Sequence, residues 1–351
     1  MKSILLTGGT GFIGSHTCLC LLERGYFVNI IDSNINSSPV VLKKIKEIMS
    51  TKNINDFENR LEFFKGDIRD INFLKKVFSV SHQNNRPIEA VIHFAGLKSV
   101  EESIKYPLNY WDVNVSGSIC LFNVMKENNC KTVVFSSSAT VYGYPDSNPI
   151  KESFFIKPQN PYGQTKGAVE KILENTYNSA KGEWKVANLR YFNPIGAHFS
   201  GKIGEDPKNV PNNLFPYICR VALGKYKKLK IFGKDWPTFD GTGVRDYIHV
   251  MDLAEAHVSS LEFLSKNQSK FLNLNIGTGT GTSVLELVNE FKKINKVNIP
   301  CEFVKRRLGD VSEVIADNSL ALKILDWKPK RNLENMCKDG WNWQFKNPSG
   351  Y

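Results

Sequence analysis

The run Leu6-Thr7-Gly8-Gly9-Thr10-Gly11-Phe12-Ile13-Gly14 constrains this chain more than any other stretch. A short apolar segment, residues 4–6, precedes it and reads as a strand. An apolar-periodic segment, residues 12–23, follows it and reads as a helix. Gly9, Gly11 and Gly14 therefore fit a G-x-G-x-x-G pattern in the strand–turn–helix setting that the pattern requires. The tight turn needs glycine, the backbone must come close to a pyrophosphate, and the helix N-terminus offers unpaired N–H groups to an anion. The next strand, residues 27–31, ends in Asp32. A carboxylate at that point accepts ribose hydroxyls and repels a 2′-phosphate. The residues thus predict a dinucleotide site for NAD rather than NADP.

Strand and helix patterns alternate beyond this unit. Strands read at 61–64, 88–93, 132–135 and 186–190, and helices at 40–50, 72–80, 107–127 and 161–180. Strands separated by helices imply a parallel sheet with ligands at the carboxyl ends of its strands. Polar or glycine-bearing segments fall at those ends: Asp67, Phe94-Ala95-Gly96-Leu97-Lys98, Ser136-Ser137-Ser138 and Phe192-Asn193-Pro194. After Pro194 the alternation weakens. Helices recur at 214–223, 251–264, 284–294 and 319–325, and short strands at 230–232, 271–276 and 301–304. The predicted fold is α/β, a Rossmann-type doubly wound parallel sheet with a smaller C-terminal α/β substrate domain. The expected division is 1–192 and 193–351, with part of 236–275 returning to the main sheet.

A formal charge of +11 over 351 residues raises the question of nucleic acid. The excess is lysine scattered among Asn and Ile, with no zinc-finger, RRM or basic-zipper pattern, so it reads as a solvated surface. Seven cysteines, an odd number with no C-x-x-C, predict neither a disulfide framework nor a metal site. Buried thiols suit a reducing compartment. No signal-like segment and no membrane-length apolar run is evident, so the expected address is cytoplasmic, with no membrane partner.

Tyr162 and Lys166 form a Tyr-x-x-x-Lys pair behind Pro161, a residue favoured in a helix's first turn. Their spacing puts phenol and ammonium on one helical face. Such a pair means little alone. Behind a dinucleotide unit, and after the Ser136–Ser138 strand end, it predicts acid–base chemistry. A tyrosine must ionise below its usual pKa to act as a base near neutrality. Lys166 and a positive nicotinamide ring are both expected to favour phenolate. Ser138 is expected to hydrogen-bond the reacting hydroxyl.

At this point the chain resembles the extended short-chain dehydrogenase/reductase group, through residues 7–14, 136–143 and the Tyr162/Lys166 pair. Longer motifs narrow the likeness to the UDP-galactose (UDP-glucose) 4-epimerases. They are Ser136-Ser137-Ser138-Ala139-Thr140-Val141-Tyr142-Gly143, Tyr191-Phe192-Asn193-Pro194-Ile195-Gly196-Ala197-His198, Pro211-Asn212-Asn213-Leu214 and residues 240–250. The resemblance implies that Tyr162 takes the sugar 4-OH proton, with help from Ser138 and Lys166. It implies NAD contacts at Gly8, Gly9, Gly11, Phe12, Ile13, Gly14, Asp32, Asp67, Ile68, Phe94, Ala95, Gly96, Lys98, Asn114, Tyr162, Lys166 and Phe192. Asn34, Asn36 and Ser37 are expected to compensate for Ser33, which stands where the family carries Asn. It implies that a UDP-sugar meets Lys98, Ser138, Tyr162, Asn193, Asn213, Leu214, Phe232, Arg245, Tyr247, Arg307 and Asp310.

Two arginines suit a diphosphate, since guanidinium binds phosphate oxygens bidentately. Arg306, beside Arg307, leaves the choice of clamp open. Leu308 interrupts the family's usual run there. Val314 occupies a position where a small residue is expected to admit an N-acetyl sugar. The resemblance further implies a homodimer, with its surface on the helices at 107–127 and 161–180. Two alternatives stand beside the epimerase reading. One is a dehydratase or decarboxylase, although Ala139 and Thr140 stand where a dehydratase needs its acid–base pair. The other is a non-catalytic NAD-sensing protein on the same fold.

Overall fold

Seven parallel strands form the main sheet, and their order puts a crevice where the glycine turn lies. A computed structural model describes residues 2–52, 56–180, 182–208, 211, 213–307 and 309–351. The first six strands are β1 (Ser3–Thr7), β2 (Phe27–Asp32), β3 (Leu61–Lys65), β4 (Ile88–His93), β5 (Thr132–Ser138) and β6 (Lys185–Tyr191). Next come β7 (Asn193–Ile195), β8 (Leu229–Phe232), β9 (Val244–His249) and β10 (Lys270–Ile276), then β11 (Gly281–Ser283), β12 (Cys301–Val304) and β13 (Glu313–Val314). The main sheet runs β10-β6-β5-β4-β1-β2-β3. The order reverses between β1 and β4, the point where open α/β sheets bind ligands.

The helices between the first strands are α1 (Phe12–Glu23), α2 (Val40–Ser50), α3 (Ile71–Gln83), α4 (Val100–Lys105), α5 (Pro107–Tyr110), α6 (Gly117–Glu127) and α7 (Pro161–Ser179). Later come α8 (Leu214–Ala222), α9 (Val250–Lys266), α10 (Val284–Asn295), α11 (Ser319–Leu325) and α12 (Leu333–Lys346). Alternate strand residues serve opposite faces, as the two-residue period of a strand dictates. Ile4 and Leu6 join a core with α1, α2 and α9, while Leu5 joins another with α3, α6 and α7. Both faces being covered explains why these strands are apolar nearly throughout.

Three features of the chain bear on the site, two of them different from the sequence expectation. The helix expected over 107–127 is broken: α5 and α6 flank a π-helical segment, Trp111–Ser116. Asn114 lies in that segment, and a π-bulge commonly marks a functional position. Residues 270–276 do join the main sheet, with Phe271 paired to Val186 and Ile276 to Tyr191. Residues 244–249, which carry no apolar period, form β9, the central strand of a small sheet with β11, β13 and β7. Among the described residues no helix is long and apolar enough to cross a membrane. None of their His, Cys, Asp and Glu side chains group in threes to hold a metal.

Candidate active site

The glycine turn is fixed by close backbone contacts. Gly8 has φ +71°, and a Cβ there would stand 2.7 Å from the Ala95 nitrogen, so the ends of β1 and β4 almost touch. A Cβ on Gly14 would stand 2.4 Å from the Gly8 oxygen and 2.8 Å from Gly9 Cα. Helix α1 starts after Gly11, which offers no side chain to its first-turn N–H groups, and that turn carries no acid. By contrast α3, α4, α7, α10 and α12 start with side-chain caps. Exposed N–H groups at a glycine cradle fit an anionic pyrophosphate.

Asp32 ends β2 inside a polar cluster. One carboxylate oxygen accepts from the Thr10 N–H (3.1 Å), the other from the Asn34 N–H (2.9 Å) and the Ser37 hydroxyl (2.8 Å). Asn34 sits in the left-handed region at φ +58°, and its buried Oδ1 has no partner among the described residues. A ribose hydroxyl is a fitting donor for that atom. Asn36 Oδ1 accepts from the Lys208 N–H at 3.4 Å. Asp67 is held by Arg69, whose guanidinium keeps the carboxyl below its usual range, and Arg69 also reaches Asp112. Ile68 is buried beside it.

A chain of hydrogen bonds links this cradle to α7. Asn114 Oδ1 accepts from the Leu97 N–H (2.7 Å), and its Nδ2 donates to the Leu97 carbonyl and to the Thr165 hydroxyl (3.0 Å). Thr165 donates in turn to the Tyr162 carbonyl (2.8 Å). The Asn114 amide thus locks the Phe94–Lys98 segment to the first turn of α7. That turn begins at Pro161 and is capped by Asn160, which accepts from the Gly163 N–H. Phe94 packs against His257 of α9, ring centroids 4.7 Å apart. Lys98 pairs with Glu205 at 3.0 Å, a carboxylate that also accepts from Asn213.

Ser138, Tyr162 and Lys166 are all buried. The Lys166 ammonium donates to the Ser136 carbonyl at 2.7 Å and lies 5.8 Å from the Tyr162 ring centroid. Burial pushes the Tyr162 phenol up to about 12, opposed by a hydrogen bond from Ser138. Burial pulls Lys166 down to about 8, opposed by the Glu170 carboxylate. In the chain by itself the loss of water around the phenol outweighs the Ser138 hydrogen bond, so Tyr162 lies above its usual range. Ser138 Oγ accepts from the Thr140 hydroxyl at 3.0 Å.

The small sheet carries three of the residues expected to meet a nucleotide sugar, Asn193, Arg245 and Tyr247. Asn193 on β7 pairs with Tyr247 on β9, and Val314 on β13 pairs with Arg245. Phe192 is buried just before β7. Arg245 donates to the Val244 and Ser312 carbonyls and lies 3.8 Å from Asp310. Arg307 lies over the Phe232 ring at 3.9 Å. Arg306 turns to Asp235 and stacks on Trp236, which separates the two neighbours. Leu214 opens α8 directly after Asn213. Leu308 and Asn212 lie outside the described residues.

Sequence reasoning missed a buried polar group beneath this site. Glu170, two turns after Tyr162, forms an ion pair with Arg190 of β6 at 2.6 Å, both side chains below 5% exposed. Its spacing, i+8 from Tyr162 and i+4 from Lys166, was the available signal.

Comparison with known proteins follows the same lines. The family model for GDP-mannose 4,6 dehydratase matches residues 5–340. UDP-glucose 4-epimerase of Bacillus subtilis is 49% identical over 349 residues, covering 99% of this chain and 98% of that protein. The crystal structure of UDP-glucose-4-epimerase from Stenotrophomonas maltophila, with bound NAD and formylated UDP-arabinopyranose, superposes with a TM-score of 0.92 at 45% identity, covering 99% of each chain. That of UDP-glucose 4-epimerase from Bifidobacterium longum, in complex with NAD+ and UDP, gives 0.91 at 43% identity and covers 100% of each.

Proposed function

This chain belongs to the UDP-glucose 4-epimerase family of extended short-chain dehydrogenases/reductases, and from that premise we propose that it interconverts UDP-galactose and UDP-glucose through Tyr162, Ser138 and Lys166. The observation that carries this assignment of residues is the Asn114 bridge, which ties the glycine cradle's neighbour loop to the helix turn bearing Tyr162. The glycine turn and the Asp32 cluster would hold NAD, which when bound would supply a reversible hydride acceptor for the sugar C4 and a positive ring in the pocket. Tyr162 takes the proton of the 4-hydroxyl and gives it back to the same oxygen after the 4-keto sugar has turned over. Ser138 hydrogen-bonds the reacting oxygen and steadies the phenolate. Lys166 adds a fixed positive charge on the same helical face. Arg245 and Arg307 receive the diphosphate, and Asp310 the uridine ribose.

Buried polar partners favour epimerisation over dehydration. Thr140 donates to Ser138, and neither Ala139 nor Thr140 is a carboxylate that could drive elimination at C5 and C6. The intact Tyr162, Ser138 and Lys166 cluster also disfavours a sensor without chemistry. Val314 is half-buried against the cluster of Val141, Tyr142, Ile150, Phe192 and Ala316, and its short side chain supports acceptance of UDP-GlcNAc and UDP-GalNAc as well. A homodimer is supported by an apolar strip on α4–α6, where Ile104 and Leu108 are 64% and 81% exposed beside Tyr106, Trp111 and Ile119. Seven unpaired cysteines suit the cytoplasm.

The experiment incubates purified protein with UDP-galactose, without added reductant, and looks for UDP-glucose. A denatured aliquot is assayed for NAD. Absence of both overturns the reading; NAD without turnover returns it to the sensor. A parallel incubation with UDP-GlcNAc tests the role of Val314, and no UDP-GalNAc at high enzyme concentration removes it. Sedimentation of a Leu108→Glu variant tests the dimer, which should dissociate if that strip joins the two copies.

A further inference from the structure

The buried polar group under α7 extends well beyond an ion pair. Arg190 Nε donates to both Glu170 oxygens at 3.0 and 3.2 Å, and Nη2 donates to one of them at 2.6 Å. The remaining guanidinium nitrogen donates to the Tyr142 hydroxyl (3.0 Å) and the Glu152 carbonyl (3.1 Å). Tyr142 donates to Asn275 of β10 at 2.7 Å. On the opposite side, the Ser137 hydroxyl donates to Glu170, one residue before Ser138. Glu170 therefore touches the β5 end directly and stands one helical turn from Lys166. A buried ion pair of this kind seldom adds net stability over apolar packing, so its presence asks for another account.

We propose that Glu170 is a positioning residue of the reaction: it supplies the counter-charge for the buried Lys166 ammonium and, through Ser137, anchors the strand end that carries Ser138. This deepens the epimerase reading and rests on it. The groups around Lys166 define the electrostatics. Its own helix contributes Tyr162 and Glu170, and β4 contributes His93; Arg190 and Tyr191 of β6 stand behind these, bonded to Glu170 and to Ser136. His93 is bonded to Thr7 and Ser118 and held neutral, its pKa pulled down to about 3 by burial. Tyr191 is bonded to Ser136 and pushed further toward the neutral phenol by burial. Among the described residues Glu170 is thus the anion available to Lys166, and it is the group that opposes the loss of the lysine's proton. Arg190 holds the carboxylate in place from its far side. Charges one turn apart, about 6 Å at an effective dielectric of about 20, couple by about two pKa units.

Glu170→Gln keeps the shape and the Ser137 contact but removes the charge. It leaves Arg190 buried without its anion and threatens folding. The Glu170→Gln/Arg190→Met pair removes both charges and restores neutrality, so it serves as the deciding variant. Two readouts are taken on NAD-loaded protein. One is turnover against pH; the other is the NMR titration of isotope-labelled lysine Cε, with Lys166 assigned by its loss in Lys166→Arg. The double variant should titrate Lys166 lower by about 1 pH unit, since loss of the more distant Arg190 cation offsets part of the roughly two units from the lost anion, and should move the alkaline limb of turnover down equally. Glu170→Asp, which keeps the charge, should stay near the parent. A folded double variant whose Lys166 titrates within about 0.3 units of the parent overturns the proposal, leaving Glu170 a packing element. Should the lysine shift while no variant or parent turns over UDP-galactose, the counter-charge role stands and the epimerase reading fails. If neither charge-free variant folds, Glu170 is a structural requirement, and that outcome also counts against the proposal.

Discussion

Removing one oxygen from Tyr162 tests the chemistry most directly. The side chain is 9% exposed, and Tyr162→Phe keeps its ring, so no cavity opens. The folded state loses one hydrogen bond to Ser138, which costs about 1 kcal/mol. The catalytic loss is far larger. A phenol held at about 12 is ionised in about one molecule in 10⁴ at pH 8, so about 5 kcal/mol must come from the bound positive ring and the site before it serves as base. General acid–base catalysis contributes about 10²–10⁴ in rate, hence kcat should fall by about that factor, roughly 3–5 kcal/mol of barrier. The assay compares UDP-galactose turnover by parent and variant at matched NAD content, measured after denaturation. Turnover within about tenfold of the parent at equal NAD would refute the role of Tyr162 as the proton carrier.

Three further expectations follow from the geometry. Gly14→Ala drives a methyl against the Gly8 carbonyl and, at about 1–3 kcal/mol of overpacking, should weaken NAD retention about 5- to 150-fold; full retention in a cofactor-release assay would count against the cradle. Arg307→Ala should raise KM for UDP-galactose about tenfold or more by removing a phosphate partner, while Arg306→Ala, an exposed pair with Asp235, should stay within about twofold; the reverse pattern would reassign the clamp. Buried His16 and His93 are held down at about 3, and His198 and His257 at about 4, all by loss of water. Because their folded values lie below the unfolded value near 6.5, the stability they confer is complete above that pH. It is lost as pH falls toward 4, at about 2 kcal/mol per ring by pH 5. Thermal melts that hold steady from pH 7.5 to about 5 would contradict this.

The main sheet was legible because both its faces are covered. Strands such as Ile88–His93 read as nearly unbroken apolar runs, and the glycine turn names its own role. Strand β9 was not legible, since Arg245-Asp246-Tyr247 looks like a surface run. Asp246 is in fact fully buried, and its carboxylate accepts the N–H groups of Thr278, Gly279 and Ala316. Those partners lie some thirty to seventy positions away, so no local pattern announces them. The π-helical turn was hidden for a similar reason: Asn114 is drawn toward Leu97 and Thr165 by contacts that periodicity cannot register. Helix α12 opens with an Asn332/Asn335 capping box, which lacks the Ser/Thr and Glu of the commoner signal. The Tyr162 and Lys166 positions were legible from spacing, but their proton affinities were not, because burial sets them.

The seventh strand carries a consequence for how the molecule comes into being. Nearly eighty residues of chain separate β6 from β10, and until that last strand leaves the ribosome the growing polypeptide shows β6 as a naked hydrogen-bonding edge. Such an edge invites association with other nascent chains. The two halves of the gene product are therefore obliged to mature together, and severing them near residue 192 would yield a first fragment with an unfinished border rather than a free-standing nucleotide-binding unit.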